Sequence, residues 1–115
     1  MKRLMFAAAA FGLALTGAAA ADPIEGKWKM PSGYDAQIAP CSGGFCLTYV
    51  TGPHKGKNFG QMTPTGNGQY AGTVVDYTKG GKQYSGKGQL SGATLSISGC
   101  VLGGLICRSQ TLNRI

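Results

Sequence analysis

The stretch from Tyr70 to Ile115 constrains the fold most, because it repeats with period two and breaks at glycine. Its middle, GTVVDYTKGGKQYSGKGQLSGATLSISG, reads as strand, glycine turn, strand, glycine turn, strand. CVLGGLICRSQTLNRI then adds a cysteine-bracketed loop and a closing strand. A period of two marks a strand with one face turned inward, whereas a helix would repeat every 3.6 residues. From Lys82 to Leu90 the row Tyr84, Gly86, Gly88 and Leu90 alternates with Gln83, Ser85, Lys87 and Gln89. Glycine weakens a strand unless the backbone bends there or another group packs closely against it. Repeated glycines on an inward face therefore predict a tightly coiled sheet or a small barrel. Poor strand propensity at a loose edge is the competing explanation.

Earlier segments follow the same period. Ile24, Gly26, Trp28 and Met30 share one face, with Glu25, Lys27 and Lys29 on the other. Tyr34, Ala36 and Ile38 are expected inward in a second strand, and Phe45–Val50 forms a third. Asn58–Thr63 is a short strand of poor alternation, followed by the turn cluster Pro64-Thr65-Gly66-Asn67-Gly68. Gln69–Tyr77 is apolar on both faces, as a central or curved strand would be. No helical period survives past residue 21. Seven or eight short strands separated by turns predict an all-β fold, a small antiparallel up-and-down β-barrel. Closure would remove the exposed edges that endanger so small a sheet.

The first 21 residues are expected to stand outside that fold. Lys2 and Arg3 precede the apolar run Leu4–Gly17, and Ala19-Ala20-Ala21 offers small residues for a signal peptidase, with cleavage before Asp22. The apolar run is shorter than the roughly 20 residues a membrane-spanning helix needs. No cysteine follows it to carry a lipid. The expectation is a signal peptide at 1–21, a single domain at 22–115, no membrane span, and a periplasmic or secreted location. Residues 22–115 carry nine Lys and Arg against four Asp and Glu, a net charge of +5. The lysines are dispersed rather than clustered, as on an ordinary solvated surface.

Cys41, Cys46, Cys100 and Cys107 all fall in the expected exported part, where an even number implies disulfides. Three pairings are open to four cysteines, and the short spacings favour Cys41–Cys46 and Cys100–Cys107. Taken together, CysX4Cys and CysX6Cys depart from the two to four intervening residues common in structural zinc sites, since Cys100 and Cys107 enclose six.

Several of these residues also carry a resemblance. Gly26 and Trp28; Asp76, Gly81 and Tyr84; Gly92, Leu95, Gly99 and Cys100; and Gln110, Thr111 and Arg114 together resemble the bacterial exported family called domain of unknown function 2147. The cysteine-bounded turn Cys41–Cys46 fits the same pattern. Leu112 stands where that family usually has tryptophan, and Tyr70 where an aromatic residue precedes the glycine strand. The resemblance implies a small disulfide-stapled β-barrel similar to calycins and lipocalins, without an established reaction or catalytic residues to carry over.

Catalytic chemistry finds little to stand on. His54 is the sole histidine, in the polar loop Thr51–Lys57, with no carboxylate or serine beside it in sequence. No Gly-X-Ser-X-Gly elbow accompanies it. The four carboxylates, Asp22, Glu25, Asp35 and Asp76, are scattered, and Asp76 is expected to cap a turn. Gly80-Gly81 and Gly103-Gly104 lack the lysine spacing of a phosphate loop. No catalytic residue, metal or cofactor is expected, and no nucleic acid partner. Trp28 reads first as core. If a site exists, Trp28, Tyr49, Tyr70 and Tyr84 would line a barrel mouth that binds a small apolar ligand. The rival is a structural or interaction module that docks to an envelope protein through Val101, Leu102, Leu105 and Ile106.

Overall fold

The structure, a computed structural model, describes residues 22–115; the expected signal peptide at 1–21 lies outside the described residues. Eight strands follow one another: β1 (Gly26–Lys29), β2 (Asp35–Cys41), β3 (Gly44–Tyr49), β4 (Asn58–Gly66), β5 (Gln69–Asp76), β6 (Lys82–Ser91), β7 (Thr94–Val101) and β8 (Ile106–Arg114). Each pairs antiparallel with the next, and β8 returns to β1, so the sheet closes as the alternation predicts. The closing seam is short. It joins Trp28 to Arg114 and Lys29 to Asn113, whereas β5 and β6 pair from Gln69–Gln89 through Asp76–Lys82.

The glycines explain how so small a barrel coils. Register places Gly72, Gly86 and Gly99 side by side across β5, β6 and β7. A Cβ on Gly86 would lie 3.1 Å from Val74 Cγ1 and 3.2 Å from Met62 Cε, and one on Gly88 would lie 3.2 Å from Met62 Sδ. Met62 and Val74 thus lie on a floor from which side chains have been removed. Because β6 is paired along both edges, the loose-edge explanation fails.

Ile24, Trp28, Ile38, Leu47, Met62, Leu95 and Leu112 are fully buried. Each such side chain contributes about 1.5–3 kcal/mol relative to exposure. The poor alternation of β4 has a local cause. Leu47 pairs with Gly60 and Thr48 with Asn58, so a bulge skips Phe59 and leaves it buried beside Gly60.

Three details differ from the sequence expectation. Ile24 is buried but lies in a turn before β1. Tyr34, expected inward, is 40% exposed, because β2 begins one residue later at Asp35, whose N–H donates to Thr51 Oγ1 at 2.8 Å. The Cys100–Cys107 bridge joins directly opposed residues of β7 and β8, leaving only Leu102–Leu105 outside the strands. Cys41–Cys46 closes the β2–β3 turn.

Candidate functional site

An up-and-down barrel has two ends, and this sequence treats them differently. At one end lie the β2–β3, β4–β5 and β6–β7 turns together with the segment before β1. Here Trp28 is completely buried and its Nε1–H donates to Ile24 O at 3.0 Å. The Arg114 guanidinium stacks 4.1 Å above the indole and donates to Glu25 O at 2.9 Å and to Pro23 O. Gly26 makes room for it: φ is +128°, and a Cβ would meet Arg114 Nη1 at 3.0 Å. The buried Tyr70 hydroxyl donates to Asp22 Oδ1 at 2.5 Å. Burial, then the Asp22 hydrogen bond and charge, push that phenol far above its ordinary pKa. This end is sealed by its own side chains.

The opposite end carries the loops 30–34, 50–57, 77–81 and 102–105, and it opens into a cavity of about 730 Å³. That volume lies within the roughly 300–1,000 Å³ typical of small-molecule sites. Met30, Phe59, Val74, Ile97 and Leu112 supply apolar wall. Tyr49 packs on Phe59 with ring centroids 4.3 Å apart, and His54 stacks on Tyr77 at 5.2 Å. The Tyr77 hydroxyl donates to Asn58 O, which ties the loop ring to β4. Burial, followed by the charges of Asp76 and Tyr77, raises the Tyr49 phenol pKa.

The charged groups of the cavity are mainly cationic. Lys79, Lys82 and Arg108 line it, with Gln110 beside them and Asp76 as the carboxylate. Asp76 accepts from Thr78 Oγ1 and from Thr78 N–H at 2.9 Å, capping the short 3₁₀ turn Tyr77–Lys79 as the sequence suggests. The Thr78 hydroxyl above all, then its backbone N–H and the charges of Lys79 and Arg108, hold that carboxyl below its usual pKa against a smaller opposing effect of burial.

The four aromatic residues expected at one mouth divide between the ends. Tyr49 and Tyr84 line the cavity, while Trp28 and Tyr70 belong to the sealed end. Hairpin register is the reason: Tyr70 opposes Gly88 near the start of β5, whereas Tyr84 opposes Val74 near its finish. His54 also lines the cavity, and its Nδ1 is shielded from solvent without a hydrogen-bond partner. Among the described residues, no group of three His, Cys, Asp or Glu could hold a metal. Leu102, Leu105 and Ile106 are 68%, 85% and 54% exposed, and Val101 is half-buried. Val101 and Ile106 also form part of the cavity wall.

Sequence reasoning missed Arg108 and Gln110. Counting back by twos from buried Leu112 puts both on the inward face of β8, but neither residue type announces a barrel interior.

The family model described as "Uncharacterized protein conserved in bacteria (DUF2147)" matches residues 51–114, more than half of the chain. The chain belongs to this family. In this DUF2147 protein the match spans β4 through β8, and so includes Phe59, Val74, Lys82, Tyr84, Arg108 and Gln110 of the cavity. No curated protein and no solved structure matches the chain.

Proposed function

We propose that this DUF2147 protein is an exported, non-enzymatic barrel that binds a small apolar ligand in the cavity at its open end. One observation carries the proposal: side chains seal one end of the barrel, while the other opens into an apolar-walled cavity holding a few polar groups. Two features support export to an oxidising compartment. Residues 1–21 have the pattern of a signal peptide, and both cysteine pairs are disulfides. The outward row Gln83, Ser85, Lys87 and Gln89 of β6 suits water, unlike the apolar outer band of a membrane barrel.

The test is titration with N-phenyl-1-naphthylamine, a neutral probe that brightens in apolar surroundings. Saturable binding at one site is expected. Gln110→Trp places a large ring on the cavity wall without disturbing the buried core, and at least a tenfold loss of affinity is expected. Failure of the folded wild-type protein to bind, or equal binding by Gln110→Trp, would refute the proposal.

The loop between β7 and β8 favours a second reading, a module that docks to an envelope protein. Leu102 and Leu105 hold apolar side chains out into solvent beside the mouth. The double substitution Leu102→Ser with Leu105→Ser should abolish a cross-linked complex in native envelope extract. An unchanged cross-linking pattern would count against docking.

A further inference from the structure

Charge accounting at the open end says more about the ligand, and it rests on the cavity-binding proposal. The chain has only four acidic side chains. Asp22 is engaged by Tyr70 and by the Ile24 N–H. Glu25 accepts from the Asp22 N–H. Asp35 pairs with Lys29 at 2.5 Å, the one ion pair among the described residues. Only Asp76 remains for the cavity; it accepts from Thr78 and keeps its negative charge, so the three cations there exceed it by two. Lys79, Lys82 and Arg108 therefore line an apolar cavity without an ion-pair partner among the described residues.

Their placement is asymmetric. Lys79 ends the 3₁₀ turn between β5 and β6, Lys82 begins β6, and Lys82 Nζ sits 5.3 Å from the Tyr84 ring centroid. Arg108 projects from β8, two residues above Gln110 and four above buried Leu112. Buried Ile97 and Leu112 lie deeper along β7 and β8, and Phe59 and half-buried Val74 add apolar wall. A cation on a low-dielectric wall attracts an anion more strongly than one in open water. We propose that the ligand is a single-chain amphiphile, with its anionic head held by Arg108, Lys82 and Lys79 and its apolar chain directed toward Ile97 and Leu112. A free fatty acid and an anionic lysolipid share this chemistry.

The experiment is displacement of N-phenyl-1-naphthylamine from the full mature protein, residues 22–115. Four competitors with the same alkyl chain are compared: dodecanoate, its methyl ester, dodecylammonium, and a lauroyl lysophosphatidylglycerol. A charge-assisted head contact predicts that dodecanoate displaces at least about tenfold better than the ester, with the ammonium weakest. Arg108→Gln with Lys82→Gln should reduce that preference to about twofold or less, by the same conversion. Lys87→Gln, on the outward face of β6, removes one charge elsewhere and should leave the preference intact. Circular dichroism of each variant, compared with wild type, separates misfolding from lost recognition, and Arg108→Lys should restore part of the preference.

Stronger binding of dodecanoate than of lysolipid supports a free fatty acid; the reverse supports a lysolipid, and either upholds the anionic head. Ester binding as tight as the acid, or ammonium binding tighter, overturns this inference while leaving an apolar-ligand barrel standing. If the folded protein binds neither probe nor competitor, both proposals fall.

Discussion

The glycine floor yields a prediction that can be worked through in numbers. In Gly99→Ala the new methyl carbon would lie 3.1 Å from Val74 Cγ2 and 3.3 Å from Tyr84 Cβ. Carbon atoms prefer about 3.5–4.0 Å. Overpacking of that kind costs about 1–3 kcal/mol, offset by about 0.5–1 kcal/mol because alanine suits a strand better than glycine. The net expectation is a loss of about 1 kcal/mol. Val74 is half-buried, and truncating it to alanine should cost about 1 kcal/mol by itself. If crowding between these two side chains is the cause, Val74→Ala makes room for the methyl added at position 99. The double variant should then be more stable than the sum of the singles by about 1 kcal/mol, above the roughly 0.3–0.5 kcal/mol scatter of additive pairs. Urea unfolding provides the assay, read by the fluorescence of Trp28, the single and fully buried tryptophan. Midpoints should move at constant slope. A stabilised Gly99→Ala, or strictly additive singles, would refute the packing account and leave only poor strand propensity.

Other predictions concern the sealed end and the bridges. Tyr70 is held protonated when folded, so its folded pKa exceeds the unfolded value of about 10. Its contribution is therefore fully present below about pH 10 and declines as pH rises beyond it. Tyr70→Phe should flatten that alkaline loss in a pH series of urea midpoints; an unchanged alkaline slope would count against the assignment. Arg114→Met keeps the stem but loses the indole stack and the carbonyl hydrogen bonds to Glu25 and Pro23. A loss of about 1–2 kcal/mol and a red-shifted Trp28 emission are expected, and an unmoved spectrum would contradict the seal. Replacing either cysteine pair with alanine should cost about 2–2.5 kcal/mol from the short loops closed, measured by thermal melts under oxidising conditions.

Periodicity reveals which face a residue occupies, but not which end of the barrel it reaches. That distinction separates the parts of this protein that can be read from sequence from those that cannot. The inward row Gly86, Gly88 and Leu95, Ile97 follows directly from period two. So does a barrel, because glycines repeated on an inward face have few other uses. Tyr70 and Tyr84 look equivalent in sequence, yet hairpin register sends one to the seal and the other to the cavity. Phe59 breaks the pattern because a bulge adds a residue, which no count of apolar positions discloses. Arg108 and Gln110 were hidden because inward polar residues carry no hydrophobic signal; only buried Leu112, two and four positions on, fixes their face.

The sealed end also gives a physical meaning to residues that the sequence could mark only by resemblance. Gly26 and Trp28 lie near one terminus of the barrel and Arg114 near the other, yet all three meet where β1 joins β8. That seam has the fewest paired residues, so main-chain hydrogen bonds alone hold it weakly. Stacking Arg114 on Trp28 and directing its donors to Glu25 and Pro23 replaces the missing rungs with side-chain contacts. Glycine suits position 26 because φ is +128° and a Cβ would crowd Arg114 Nη1 at 3.0 Å. These residues therefore act in closure, and their substitution should alter the proposed binding only through the stability of the barrel. On the binding proposal, selectivity belongs to the far end, where the β5–β6 turn and β8 bring Lys79, Lys82 and Arg108 to the same opening. A variant at Trp28 or Arg114 that changed the preference between acid and ester, with stability matched by added osmolyte, would break this division of labour.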